Sequence, residues 1–393
     1  MNTDRIKSIF RKVPTHIALI LICAFWLIPT IGLMVTSFRP LQFINTSGWW
    51  TAFSYPGHKQ YDASCASCHG KDGKAIAGAD LTSPDLINQF QRSSSLVVVL
   101  QQQINGAPHM GSTPIPSAID VSKILTYTRK LSGVSKTPLF TFNNYIDAIM
   151  GYRGTNNYRA DCAAGAQSVD LNCNLSDIVN PRGMGRAFLN SLAVSIPSTL
   201  LPILFAAFAA YAFTWMEFRG RQALFGILVG LQIIPLQMTF IPISQLYAQL
   251  GLNGTFFGIW LFHTGFGLPY AIFLIRNFLG GLPRELFESA YLDGASHWTA
   301  FVKLAIPLSV PALASLGIYQ FLWIWNDFLV ALVFLGGANP VMTYQIANMV
   351  TSLGSGWQLL TAAAFLSMAL PMVVFFALQR FFTRGMLAGA VKG

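Results

Sequence analysis

A hydrocarbon core ~30 Å thick is crossed by roughly 20 apolar residues of helix, and six runs of this chain meet that length: 16–38, 188–215, 223–243, 256–278, 307–335 and 359–382. Inside a bilayer each backbone donor and acceptor must be satisfied within its own helix, so the pattern predicts an all-α, polytopic membrane protein with six transmembrane helices. The composition agrees, with 53% hydrophobic and only 10% charged residues among 393. The net charge of +10 is not a nucleic-acid signal, because the basic residues border the spans and form no stripe with interleaved aromatics. No nucleic-acid partner is expected, and membrane lipid is the surrounding medium. The first run follows MNTDRIKSIFRK like a signal peptide, yet its apolar core is too long and no small-x-small site follows. It reads as an uncleaved anchor.

Short loops set the orientation. Arg5, Lys7, Arg11 and Lys12 precede the first span, Arg219 and Arg221 follow the second, and Arg276, Arg284 and Lys303 lie around the loop between the fourth and fifth. Arg380, Arg384 and Lys392 close the last span, whereas residues 244–255 and 336–358 contain no Lys or Arg. Both termini are expected in the cytoplasm, and the long segment 39–187 outside.

That external segment contains Cys65-Ala66-Ser67-Cys68-His69, the CxxCH spacing of c-type haem attachment. Two thiols on one turn suit thioether bonds to the vinyl groups of a haem, and the adjacent imidazole reaches the iron. A zinc half-site is the other use of such a pair, but zinc needs about four ligands and no second pair has suitable spacing. Residues 57–65 read as a short helix with Tyr61 one turn before Cys65, GKDGKAIAG follows as a Gly-rich loop, and Val121, Ile124, Leu125, Thr128 and Leu131 keep helical spacing downstream. The segment 57–133 resembles a small, all-α class I cytochrome c. The resemblance implies one covalent haem c per chain, with His69 and Met110 as axial ligands; the neighbouring His109 competes with Met110. Haem is attached to such proteins outside the cytoplasmic membrane, where the charge pattern independently places this segment. Cys162 and Cys173, also external, are either a disulfide or two thiols. His58 reads as a solvated helix residue and Cys23 as packing within the first span.

Between the fourth and fifth spans runs LPRELFESAYLDGASHWTAFVKLAIPLSVPAL. Pro283 suits a first helical turn, Leu286, Phe287, Ala290 and Tyr291 give an apolar face, and Asp293-Gly294 breaks the helix before a second one. A helix–Gly–helix of this kind suits docking in a partner's groove. Glu288-Ser289-Ala290, Asp293-Gly294-Ala295, Phe301, Pro307 and Pro311 match the EAA loop of ATP-binding-cassette (ABC) importer permeases, with Ser289 standing where Ala is usual. TSFRP at 36–40, FTFNNY at 140–145, AFLNSLAVSIPST at 187–199, GLPYAIFLIRNF at 267–278, WNDFL at 325–329 and the ending RGMLAGAVKG are similar to carbohydrate permeases of the maltose and α-glucoside type. The likeness covers 1–53 and 139–393, with the cytochrome as an insertion such permeases do not normally contain.

The resemblance implies a type I importer permease in the bacterial inner membrane, carrying a sugar. Its implied partners are a second, homologous permease subunit, two cytoplasmic ABC ATPase subunits and a periplasmic substrate-binding protein. It further implies that Glu288, Ala290, Asp293, Gly294, Ala295 and Pro307 serve the ATPase-coupling loop, 283–311, and that the tail 384–393 inserts between the ATPases. The chain has no GxxxxGK[ST]; GKDGKA fails the spacing. No catalytic residue is therefore expected, and ATP hydrolysis belongs to partners. The expected divisions are 1–53 (tail and first span), 57–133 (haem domain), 139–187 (external loop) and 188–393 (permease core).

A rival reading is a membrane-anchored respiratory cytochrome c subunit. It would hold b-type haem between paired intramembrane histidines, whereas only His16 and His263 lie in or at spans, nearer opposite faces, and the EAA loop would go unexplained. A redox sensor, in which haem state adjusts import, adds to the importer reading. Asp327 is expected near the outer end of the fifth span beside Asn326, satisfied by water and backbone. Trp323 and Trp325 read as interfacial anchors, and His263 and His297 as local packing or hydrogen-bonding residues.

Overall fold

A computed structural model describes residues 3–44, 47–74, 80–81, 83, 103–104, 107–108, 117–133, 135, 137–150, 183–349 and 356–390. The chain divides into two compact units, one formed by residues 1–148, 153–158 and 349–362, the other by 149–152, 159–348 and 363–393.

The first unit opens with α1 (Thr3–Ser37), whose apolar part Val13–Ser37 is long enough to span a bilayer. Its C-terminal end is stitched to the returning chain. Asn144, on α6 (Asn143–Met150), donates through Nδ2 to the carbonyls of Ser37 (2.8 Å) and Arg39 (2.9 Å). The Ser37 and Tyr145 hydroxyls are 2.7 Å apart, and Phe38 meets Phe142 edge-on at 5.3 Å. Arg39 is buried yet satisfied, donating to the carbonyls of Phe43 and Ser47 at 3.0 Å each, which folds α2 (Leu41–Ile44) and the next turn around it. TSFRP and FTFNNY thus meet, and the segment between them leaves and returns at one point, as inserted domains with neighbouring termini do.

Within that segment lie α3 (His58–Ser64), α4 (Ala66–His69), a two-residue antiparallel ladder of β1 (Gln103–Ile104) with β2 (Ala107–Pro108), and α5 (Ala118–Leu131). This ladder is the sole departure from an all-helical chain among the described residues. Ser117 caps α5 by accepting the Asp120 N–H at 3.2 Å. The expected apolar stripe is the buried face: Val121, Ile124, Leu125 and Thr128 are buried, and Ile124 and Tyr127 pack with Phe43, Tyr55 and Tyr61. α3 enters this contact through Gly57, with φ of 89° and the Lys123 carbonyl so close that an added Cβ would lie 1.9 Å from its oxygen. Only glycine permits that approach.

The second unit contains α7 (Met184–Trp215), α8 (Arg221–Leu231), a 3₁₀ turn Leu236–Thr239, α9 (Phe240–Leu250), α10 (Phe256–Leu279) and α11 (Arg284–Leu292). Then come α12 (His297–Ala300), a π-helical turn Phe301–Ala305, α13 (Ile306–Trp325), α14 (Leu329–Phe334), α15 (Met342–Ala347) and most of α16 (Trp357–Ala390). Small residues Ala206, Ala207 and Ala210 let α7 pack closely with α10 and α13 around Ile272, Ile275 and Leu316.

Two expected spans need correction. The run 223–243 is not one straight helix: α8 and the following 236–250 helix meet at 93°. Pro235 lacks an N–H and disfavours helical backbone at Ile234, so a continuous apolar run is broken in its middle. Five helices among the described residues qualify as spans singly, and the bent pair makes a sixth if counted as one. The fifth apolar run, 307–335, is offset from its helix, which begins at His297 and stops at Trp325. There Asp327 Oδ1 accepts the Val330 N–H at 3.0 Å and starts α14 anew.

Gly57→Val should cost more than about 2 kcal/mol, since backbone strain adds to a collision that the α3–α5 contact cannot relieve. Limited proteolysis of the chain in intact membranes should then show cleavage within 57–133 that the parent resists.

Candidate functional site

The thiol turn sits where α3 stops and α4 starts. The Cys65 carbonyl accepts from the amides of Cys68 (3.2 Å) and His69 (2.9 Å), placing all three side chains on one tight turn. Tyr61, fully buried, donates its hydroxyl to the Gly70 carbonyl at 2.8 Å and closes the turn from behind. Cys65 and Cys68 are free thiols, the first half-buried and the second exposed. Burial, and secondarily the nearby Cys68, pushes the Cys65 thiol up to about 11. Two unbonded thiols and an imidazole on one turn, backed by the Tyr61–Tyr127 aromatic pair at 5.2 Å, fit a haem held by two thioethers. Among the described residues no group of three or more His, Cys, Asp or Glu side chains forms a metal cluster. Met110, His109, Cys162 and Cys173 lie outside the described residues.

The other candidate is the loop between α10 and α13. α11 ends in a hydrogen-bonded cap: Gly294 N–H donates to the Tyr291 carbonyl (3.0 Å) and Ala295 N–H to the Ala290 carbonyl (2.9 Å), with Gly294 at φ of 84°. This is a Schellman cap, which needs a left-handed residue one step beyond the helix. Glycine supplies it without steric cost. Ser296 then caps α12 by accepting the Thr299 N–H at 3.2 Å. Phe287 is fully buried, whereas Leu286, Glu288, Ser289, Leu292 and Asp293 face outward, Leu292 being 89% exposed. Pro307 is exposed at the start of α13.

The inner face of this loop meets α7 at three levels. Trp215 stacks on Phe287 at 3.9 Å, Phe208 stacks on Phe301 at 4.8 Å, and between them the Tyr211 hydroxyl lies 2.9 Å from that of Tyr291 and 3.3 Å from His297 Nδ1. Sequence reasoning missed Tyr211, although positions 208, 211 and 215 are all aromatic and share one helix face.

Toward the other end of the unit, His263 and Asp327 come together inside the protein, Nε2 to Oδ2 being 3.9 Å with the histidine side chain 1% and the aspartate 10% exposed. The expected backbone partner of Asp327 is present, Oδ1 accepting the Val330 N–H at 3.0 Å, and His263 packs locally against Trp323 at 5.6 Å; what sequence distance concealed is that the two side chains approach each other. Trp325 is likewise buried rather than interfacial, its Nε1 donating to the Ser367 carbonyl at 3.0 Å. Next to them are two cavities of about 720 and 530 Å³ that share Leu236, Tyr319 and Trp323. Polar lining comes from Gln237, Asn326 and Asp327 in one, and from Gln232 and Gln320 in the other.

Residues 202–388 match the family described as binding-protein-dependent transport system inner membrane component, and residues 54–114 match cytochrome c. The osmoprotective compounds uptake permease protein GgtD of Synechocystis sp. is 39% identical over 393 residues, covering all of this chain and 96% of that protein. The chain belongs to this family of transport permeases. The α-glucoside transport system permease protein AglG of Rhizobium meliloti is 40% identical over 386 residues, 96% of each chain. Both alignments run nearly end to end, whereas a probable ABC transporter permease of Pyrococcus horikoshii, 38% identical over 212 residues, covers 53% of this chain and 76% of its own. The protein is thus an ABC permease of the bacterial inner membrane, multi-pass, with a cytochrome c segment between its first two spans. The match to 202–388 includes the loop, the cavities and the His263–Asp327 pair.

In haem-free chain, the Cys65 thiol, pushed up to about 11, holds little thiolate at pH 8, and the thiolate is the nucleophile. Iodoacetamide at pH 8 should modify the exposed Cys68 first, with Cys65 reacting as pH rises toward 11. Peptide mass spectrometry reads the order, and equal rates at pH 8 would contradict the burial of Cys65.

Proposed function

We propose that this chain is the membrane-spanning permease subunit of an ATP-driven sugar importer of the maltose/α-glucoside class, carrying a c-type haem domain on the periplasmic side. The observation that carries the transport reading is the Schellman-capped turn Ala290–Ala295, which presents Glu288, Ser289 and Leu292 outward on a loop otherwise anchored to α7. An exposed apolar and acidic helix face on a rigid mount suits the cleft of an ATPase subunit. The 40% sequence identity with an α-glucoside permease over 96% of the chain supports the substrate class. In this reading loop 283–311 is the coupling loop: Ala290, Gly294 and Ala295 shape it, Glu288 and Asp293 face the ATPase, and Pro307 starts the span that follows. The partners are a second homologous permease subunit, two cytoplasmic ATPase subunits and a periplasmic substrate-binding protein. Both termini are cytoplasmic, and the tail 384–393 reaches between the ATPases. ATP-driven displacement of the coupling loops rocks the permease halves, exposing the sugar path alternately to each side. The domain divisions read from the sequence, 1–53, 57–133, 139–187 and 188–393, remain part of this proposal.

For the external domain, Cys65 and Cys68 would hold one haem c, each thiol adding across one vinyl group, with His69 and Met110 at the iron. When bound, that group supplies one-electron transfer. Tyr61 fixes the turn that presents the thiols, and the Gly57 contact fixes α3 against α5. The domain serves electron transfer or redox sensing. Cys162 and Cys173, in the same oxidising compartment, are proposed as a disulfide.

Gly294→Val forces a β-branched residue into left-handed backbone, a strain of about 1–3 kcal/mol. Uptake of an α-glucoside by the reconstituted complex should fall by about tenfold; uptake at the parental rate would sink the coupling-loop assignment. Met110→Ala should keep the covalent haem on a denaturing gel but lose the low-spin Met-ligated spectrum, and its potential should fall. If His109→Ala does this instead, the iron ligand is His109.

A further inference from the structure

Among the described residues, each side-chain hydrogen bond joining α7 to the loop passes through one atom, the Tyr211 hydroxyl. Its two partners lie on opposite sides of the Gly294 turn. Tyr291 is in the last turn of α11 and His297 is the first residue of α12, and they also meet each other, the Tyr291 hydroxyl being 3.2 Å from His297 Nδ1. The three groups form a closed triangle with sides of 2.9, 3.3 and 3.2 Å.

The stacked pairs at either side, Trp215 on Phe287 and Phe208 on Phe301, hold the loop against α7 but are tolerant of sliding, because offset aromatic stacking is shallow in angle and displacement. Hydrogen bonds are directional and weaken steeply when bent. Glycine at 294 sets the α11–α12 angle and leaves it soft, with nothing within 4 Å of where a Cβ would stand. A push on α11 would then be absorbed by the turn unless something fixes the angle.

We propose that Tyr211 is a positioning residue for coupling: by bonding Tyr291 and His297 together it locks the Gly294 turn and fastens both limbs of the loop to α7. This rests on reading 283–311 as the coupling loop. Displacement of α11 by an ATPase is then carried into α7 as rigid motion, and α7 in turn packs on α10 and α13.

The experiment uses the full complex with its partner subunits and binding protein in proteoliposomes. Leu189→Cys, on the exposed outer half of α7, is labelled with a maleimide, with and without ATP and vanadate, against a parent lacking that cysteine. The nucleotide-dependent change in labelling rate should be large with the native loop and shrink roughly fivefold in Tyr211→Phe, the size of effect that losing one hydrogen bond has on an equilibrium. His297→Asn, whose Oδ1 stands near the position of Nδ1, should retain the change, and His297→Gln, which places its amide elsewhere, should lose it. A purely structural role would not separate these two variants. In parallel, Glu288→Cys should cross-link to the ATPase subunit in every variant. A missing cross-link overturns the coupling-loop reading and the inference with it. An intact cross-link together with an undiminished labelling change in Tyr211→Phe, or with no difference between His297→Asn and His297→Gln, overturns the inference alone.

Discussion

Within hydrocarbon a helix can stop or bend only where another group takes over the backbone hydrogen bonds it gives up, since an unsatisfied peptide group there costs several kcal/mol. The apolar spans of this permease obey that rule for most of their length, and the exceptions are where its polar chemistry collects. At residues 232–235 the broken span leaves Gln232 and Pro235 lining a cavity. After Trp325 the Asp327 carboxylate takes the Val330 amide, and its second oxygen turns inward to His263. Both breaks border the same pair of cavities. A path for a polar solute through a bilayer needs such places, because straight apolar helices offer a sugar nothing to bind.

The loop between α10 and α13 solves a different problem. In the proposed coupling role it has to be exposed and also stiff. Here exposure comes from Leu286, Glu288 and Leu292, and stiffness from a fully buried Phe287 stacked on Trp215 together with the Tyr211 hydroxyl that joins Tyr291 and His297 across the Gly294 turn. A net hydrogen bond is worth only about 0.5–1.5 kcal/mol, so no single contact holds the loop. Three levels of contact along one face of α7 do.

The cytochrome c segment is attached with equal economy of means. Asn144 and Arg39 tie both ends of the segment to the C-terminal end of α1, so a whole domain follows α1 without disturbing that helix.

Some of this was written in the sequence because local rules act over one turn or one span. The CxxCH turn, the stripe on α5 with Val121 and Ile124 buried, the Gly294 break and the loop motif all follow from spacing and from what glycine alone permits. Apolar length gave the spans, but it is blind to bends, so Pro235 did not announce a 93° break inside a continuous apolar run. Position along the span places Asp327 beside water and backbone and His263 in local packing; only folding brought these two side chains, 64 positions apart, to 3.9 Å. The same holds for Tyr211, which is unremarked in its own helix and gains its role from a tyrosine and a histidine about 80 residues further on. Sequence determines what a segment can bury or turn, whereas a shared hydrogen bond between distant segments exists only once the packing of helices has fixed their register.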